Sequence, residues 1–134
     1  MSKHAIFAWP ARVYFQDTDA GGVVYHSNYV NFMERARTEW LRTFGYSNAG
    51  MMQELGVVFV VRSMKLDYLK PAILDDLLSV TAQVIAIGRS SITVVQTVLR
   101  GETLLTEAEV YLVCVDVKTF KPVRVPDVLR KQWD

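Results

Sequence analysis

Cysteine is nearly missing from this chain: Cys114 is the one thiol in 134 residues, so no disulfide can close within it. Its seat in the apolar run Val110 to Val115 reads as a buried structural thiol, because a nucleophilic thiolate needs a nearby cation or helix terminus. Histidine is scarce too. His4, His26 and Cys114 lie far apart in sequence, without the paired spacing of zinc ligands. The run from Asp17 imitates a calcium loop, but Gly21 takes the fifth position and Asn28 the twelfth, where a bidentate glutamate is needed. No metal is expected. Charge of one sign is also lacking: 15 Lys and Arg against 14 Asp and Glu leave a formal charge of +1, which excludes the strong basic field of a nucleic-acid binder. No apolar run approaches the roughly 18 residues of a membrane span, and Met1-Ser2-Lys3-His4-Ala5 has no signal-peptide core, so a cytoplasmic protein without a transmembrane segment is expected. Proline is sparse, at positions 10, 71, 122 and 126, and no repeat or polar linker interrupts the chain. One domain over residues 1–134 is the economical reading. Three catalytic signatures are missing as well: the G-x-S-x-G elbow of serine hydrolases, the P-loop and the dinucleotide-binding G-x-G-x-x-G.

What is present has a clear periodicity. Ala11 to Phe15 reads as a short strand, and the Gly21-Gly22 pair lets the following loop turn sharply. From Tyr29 to Phe44, apolar residues Phe32, Met33, Ala36, Trp40, Leu41 and Phe44 recur at steps of three and four, the stripe of one buried helix face. Ser27 or Asn28 is placed to cap that helix and Gly45 to end it, while Arg35, Glu39 and Arg42 lie off the stripe at ion-pair spacing. A short helix over Asn48 to Leu55 precedes a switch to period two. Leu78, Val80, Ala82 and Val84 alternate with polar residues, as do Ile92, Val94, Gln96 and Val98, and Val57 to Tyr68 and Leu104 to Asp116 supply further strands. Gly88-Arg89 and Gly101-Glu102 suit hairpin turns. About five antiparallel strands and one strongly apolar helix satisfy each other only if the sheet curls around the helix, an α+β architecture. The open sheet edge favours pairing with another copy, so at least a homodimer is expected.

Carboxylate chemistry is what these exclusions leave. Asp17 and Asp19 sit on a glycine-hinged loop that leads into a helix start, where backbone N–H groups favour developing negative charge. The residues alone do not choose between the two aspartates, since either can close a turn with its own side chain. Tyr25, His26 and Tyr29 are placed to line a pocket or to pack at the helix start, and Glu34 is placed for an ion pair or for proton transfer.

The run Tyr14-Phe15-Gln16-Asp17-Thr18-Asp19-Ala20-Gly21-Gly22-Val23-Val24-Tyr25-His26-Ser27-Asn28-Tyr29, followed by Glu34-Arg35-Ala36-Arg37, resembles hot-dog-fold acyl-CoA thioesterases. More narrowly, it looks like the YbgC branch, associated with the Tol-Pal cell-envelope system, within the 4-hydroxybenzoyl-CoA thioesterase-like group. Arg62-Ser63-Met64 and Asp67-Tyr68-Leu69-Lys70-Pro71-Ala72 fit the family's second strand and following turn, so the likeness spans nearly the whole chain. The resemblance implies a hot-dog fold, a long central helix wrapped by an antiparallel sheet of about five strands. It implies that Asp19 is catalytic, as general base or as nucleophile, with amides near His26 polarising the thioester carbonyl. Asp17, Gly22, Val24, Tyr25, His26, Tyr29 and Glu34 are then supporting or pocket residues.

Coenzyme A contacts are expected from Arg89, Ser90 and Ser91, whose turn resembles the family's pantetheine-contacting strand end. Lys118, Lys121 and Arg124 are a second basic group, able to act from a neighbouring subunit. No cofactor is implied, because the CoA thioester is the substrate. The implied partners are acyl-CoA, further copies in a homodimer or homotetramer, and an acyl carrier protein, with a peripheral inner-membrane position left open. Two other readings use the same residues: a non-catalytic acyl-CoA or acyl-carrier-protein binding module, and a hydroxyacyl dehydratase.

Overall fold

The computed structural model describes residues 5–133, so His4 lies outside the described residues. In chain order the elements are β1 (Phe7–Arg12), α1 (His26–Arg42), α2 (Asn48–Leu55), β2 (Val57–Tyr68), β3 (Leu77–Ile87), β4 (Ser91–Arg100), β5 (Thr103–Asp116) and α3 (Asp127–Trp133), with a single 3-10 turn at Phe15–Asp17. The five strands form one antiparallel sheet in the order β1-β3-β4-β5-β2.

The period-two residues do what their pattern demands. Leu78, Val80, Ala82 and Val84 of β3 and Ile92, Val94, Gln96 and Val98 of β4 are all buried. The stripe of α1, from Tyr29 through Phe32, Met33, Ala36 and Trp40 to Leu41, joins them in one core. Burying each large apolar side chain contributes about 1.5–3 kcal/mol. Gln96 is a polar residue on this face, as is Thr106 of β5. Gln96 is fully buried, and its amide nitrogen donates to the carbonyls of Met33 and Thr81, at 3.0 and 3.1 Å.

Three local expectations need correction. The first strand is Phe7–Arg12 rather than Ala11 to Phe15: it pairs with β3 from Phe7↔Ala82 to Arg12↔Leu77, and Pro10 is tolerated because this strand is an edge. Beyond it the chain winds up, because the Asp17 carboxylate captures the Tyr14 N–H at 2.8 Å. Helix α1 starts at His26, three residues before the periodic stripe, with Tyr25 at the N-cap and no side-chain cap. Ser27 and Asn28 lie inside its first turn. Gly45 does follow the helix in a conformation with φ of 95°.

Helix α3 had no periodic signal of its own. Its Trp133 stacks on Trp40 at 5.2 Å with a 14° interplanar angle, and Phe44 and Phe59 meet the same ring edge-on. The Trp133 indole N–H is buried without an acceptor among the described residues. Trp133→Ala is expected to cost about 3–5 kcal/mol in urea unfolding, as for other buried aromatics. Trp133→Phe should cost far less, since it removes an N–H whose desolvation goes uncompensated. Equal losses for the two variants would contradict this packing.

Candidate active site

Two aspartates two residues apart are put to different uses. Asp17 is 6% exposed, and both of its carboxylate oxygens are taken: one accepts from Tyr14 N at 2.8 Å, the other from Asn28 Nδ2 at 3.0 Å. Its carbonyl also accepts from Tyr25 N at 2.9 Å. Asp17 therefore ties the loop to the first turn of α1. Asp19 is exposed, and its Oδ1 accepts from Gly21 N at 2.8 Å. Its Oδ2 takes no hydrogen bond among the described residues.

The loop is closed around Asp19 by backbone pairing. Asp19 N donates to Val23 O at 2.8 Å and Gly22 N to Asp19 O at 3.1 Å. Gly22 has φ of 81°, the left-handed region that suits glycine, and a Cβ on Gly21 would lie 3.2 Å from Asp19 Oδ1. Both glycines thus shape the aspartate's surroundings.

Asp19 lines a cleft of about 330 Å3 together with Val23, Val24, His26, Tyr29, Tyr68, Leu69, Lys70 and Pro71. Two elements and a loop hold its far wall. Tyr68 Oη donates to His26 O at 2.9 Å, and Tyr29 Oη accepts from Ala72 N at 2.9 Å. Arg100 reaches Pro71 O at 3.3 Å and pairs with Asp76 at 2.7 Å. The rings of His26 and Tyr29 each meet the Tyr68 ring edge-on. Burial pushes the Tyr29 phenol up, opposed by the Ala72 amide and the Arg100 charge, while the Asp76 and Asp19 carboxylates add to the rise. Tyr29 is thus held as a neutral phenol whose oxygen is already an acceptor. At the start of α1, the backbone N–H groups of His26 and Ser27 make no hydrogen bond among the described residues, as the first turn of a helix dictates.

The structure brings together Asp19, Val24, His26 and Tyr29, with Gly22 in the adjoining turn. Tyr25 does not line the cleft; it is exposed and leans on His26 with ring centroids 4.4 Å apart. Glu34 lines a different cavity, with Arg37 and Trp40, two turns along α1. Arg89, Ser90, Ser91, Lys118, Lys121 and Arg124 gather at the opposite end of the sheet from Asp19. Strand β2 alone spans about 36 Å between those ends at the usual rise per residue. There Ser90 O accepts from Cys114 N, Arg89 O from Val125 N, and Gly88 O from Arg130 Nη1, so the turn is fixed by the C-terminal segment. Arg124 pairs with Asp127 at 3.3 Å. Tyr68, Leu69, Lys70 and Pro71 were not among the expected pocket residues, although the family likeness ran through them.

Cys114 is buried, and desolvation pushes its thiol up to about 11, consistent with a structural role. Among the described residues no three His, Cys, Asp or Glu side chains converge as metal ligands, and no helix is long and apolar enough to cross a membrane. Asp17→Ala is expected to cost about 1–3 kcal/mol for each donor it leaves unpaired, read by chemical unfolding. A loss within about 0.5 kcal/mol, ordinary for a surface site, would refute the tie between the loop and α1.

Comparison with known proteins bears on the family and the fold. The family model described as the thioesterase-like superfamily matches residues 13–133. The acyl-CoA thioester hydrolase YbgC of Escherichia coli O157:H7 is 49% identical over 122 residues, covering 90% of each chain. The acyl-CoA thioesterase YbgC of Haemophilus influenzae is 44% identical over 120 residues, covering 90% of this chain and 88% of its own. The crystal structure of a probable thioesterase from Bartonella henselae superposes with a TM-score of 0.87 at 35% identity, covering 91% of this chain and all of that one. The fold is the hot-dog fold, and the chain belongs to the thioesterase-like superfamily.

Proposed function

We propose that this protein hydrolyses acyl-CoA thioesters to a free acid and CoA, with Asp19 as general base. The observation that carries the reading is the shared cleft: a carboxylate with one anchored and one free oxygen lines the same cleft as His26, the first residue of a helix whose first amides are unbonded among the described residues. The names of the relatives, acyl-CoA thioester hydrolase and acyl-CoA thioesterase, support the substrate class.

In this scheme Asp19 takes a proton from water, and the water oxygen attacks the thioester carbonyl. The oxyanion that forms is met by the N–H groups of His26 and Ser27, where the helix dipole adds a favourable potential. Collapse of the tetrahedral intermediate breaks the C–S bond; the departing sulfur takes the proton held by Asp19 and leaves as the CoA thiol, which restores the carboxylate. The anchoring bond from Gly21 N holds one oxygen in place while the other is free to accept the proton. The scheme calls for no cofactor, and an acyl-CoA substrate agrees with a cytoplasmic setting.

The basic end of the sheet enters only through a second copy. Strand β2 is a 12-residue edge. Antiparallel pairing of two such edges sets the Val57 end of one beside the Tyr68 end of the other, and so brings the Arg89 turn toward the partner's cleft. A homodimer, or a homotetramer built from it, completes the CoA site in this reading.

Asp19→Asn is expected to lower kcat by roughly 10²-fold or more with KM little changed, measured by release of free thiol. Retained turnover rejects the assignment. A single turnover in 18O-water should leave Asp19 unlabelled by peptide mass spectrometry; label in its carboxylate would replace the general base with a covalent anhydride. Lys121→Ala should raise KM for acyl-CoA but not for the matching acyl-pantetheine, which lacks the nucleotide phosphates, whereas Arg89→Ala should raise both. Equal effects of Lys121→Ala on the two substrates would remove Lys121 from the CoA site.

A further inference from the structure

Two tyrosines line the Asp19 cleft, and their hydroxyls are used in opposite senses. Tyr68 Oη donates to His26 O at 2.9 Å, so its proton is spent on the helix backbone. Tyr29 Oη is an acceptor: it takes the N–H of Ala72 at 2.9 Å, and its own O–H donates to no acceptor among the described residues. Tyr29 is 3% exposed, so that proton belongs to a side chain held almost wholly out of solvent. A buried donor left unpaired is costly, and an acceptor that enters the cleft removes the cost.

Position narrows what that acceptor is. Tyr29 lies three residues beyond His26 on α1, and helical side chains lean back toward the N-terminus, so its ring stands over the turn that carries the His26 and Ser27 amides. Its oxygen is anchored at Ala72, whose carbonyl accepts from Val24 N, on the loop whose Val23 carbonyl accepts from Asp19 N. The Ala72 amide, by donating to the phenol oxygen, polarises the O–H and makes it a stronger donor. Titratable and charged neighbours surround it: Asp19 on the loop, His26 on α1, Tyr68 on β2, Lys70 in the turn that follows, Asp76 before β3 and Arg100 on β4. Burial, reinforced by the Asp76 and Asp19 charges, outweighs the Ala72 amide and Arg100, so the phenol keeps its proton beyond the pH at which tyrosine ordinarily ionises.

We propose that Tyr29 is a catalytic residue of the thioester reaction, donating its O–H to the carbonyl oxygen as negative charge develops there, beside the amides of His26 and Ser27. The assignment rests on the hydrolytic reading above and deepens it. Tyr29 gives up no proton: its hydrogen bond tightens as the carbonyl oxygen becomes an oxyanion and relaxes when the C–S bond breaks and the carbonyl reforms. The proton taken from water passes through Asp19 to the departing sulfur, a transfer in which the phenol has no part.

Replacing Tyr29 by 3,5-difluorotyrosine tests the donor without removing the packing. The fluorinated phenol is markedly more acidic than tyrosine, and once ionised it still accepts from Ala72 N but has no proton to donate. Turnover of acyl-CoA should match or exceed that of the unmodified protein while this phenol is neutral. It should then fall by roughly 10²-fold as pH rises through the phenol pKa, which the 19F resonance of the same residue reports independently. The unmodified protein should keep its rate across that interval. Tyr29→Phe should lower kcat by roughly 10²-fold with KM little changed. A rate that passes unchanged through the 19F-reported pKa, or a Tyr29→Phe loss carried by KM alone, overturns the assignment. Either result leaves the hydrolytic reading standing if the unmodified protein releases thiol and Asp19→Asn does not; no thiol release from the unmodified protein removes both.

Discussion

The apolar stripe of α1 is the constraint on which the rest of this molecule depends. Tyr29, Phe32, Met33, Ala36, Trp40 and Leu41 cannot be left in water, and the concave face of one antiparallel sheet is the surface that removes them from it. Once the helix is seated there, its first turn is fixed over the Tyr68 end of the sheet. His26, in that turn, thus lines the cleft as a consequence of core packing.

The paired aspartates show how position decides chemistry for identical side chains. Asp17 is turned inward and spends both oxygens on backbone and amide donors, so its negative charge serves to hold the loop on α1. Asp19, two residues on, is turned to the cleft with one oxygen anchored and one open. With both oxygens already bonded, Asp17 has none left to face the cleft. The same loop therefore needs one aspartate for construction and leaves the other available for reaction.

Legibility in the sequence followed the length and amplitude of the hydrophobic period. Helix α2 and strand β2 fall on the residues their patterns marked, Asn48–Leu55 and Val57–Tyr68, because their ends carry chemical signals such as the Ser47 cap and Gly56 in the left-handed region. The first strand was displaced because Val13 and Phe15 continue an apolar alternation that the Asp17 to Tyr14 hydrogen bond breaks. Helix α3 is only seven residues long, and its reason for existing is the stack of Trp133 on Trp40, a contact about two thirds of the chain away. Glu34 shares a helix with the cleft residues, yet the turn of α1 carries it to a different cavity.

The sequence by itself determined the alternation of strands, the buried stripe of α1 and the likeness around Asp17 to Tyr29, because these are local: they rest on side-chain period and on neighbouring residues. Tertiary structure decided which aspartate faces the cleft, that Tyr68 and Pro71 form its far wall, that the Arg89 turn lies at the other end of the sheet, and that Arg37 meets Gln96. Each of these joins residues from separate elements, and such meetings are fixed by how the sheet closes over the helix, for which no local pattern carries a mark.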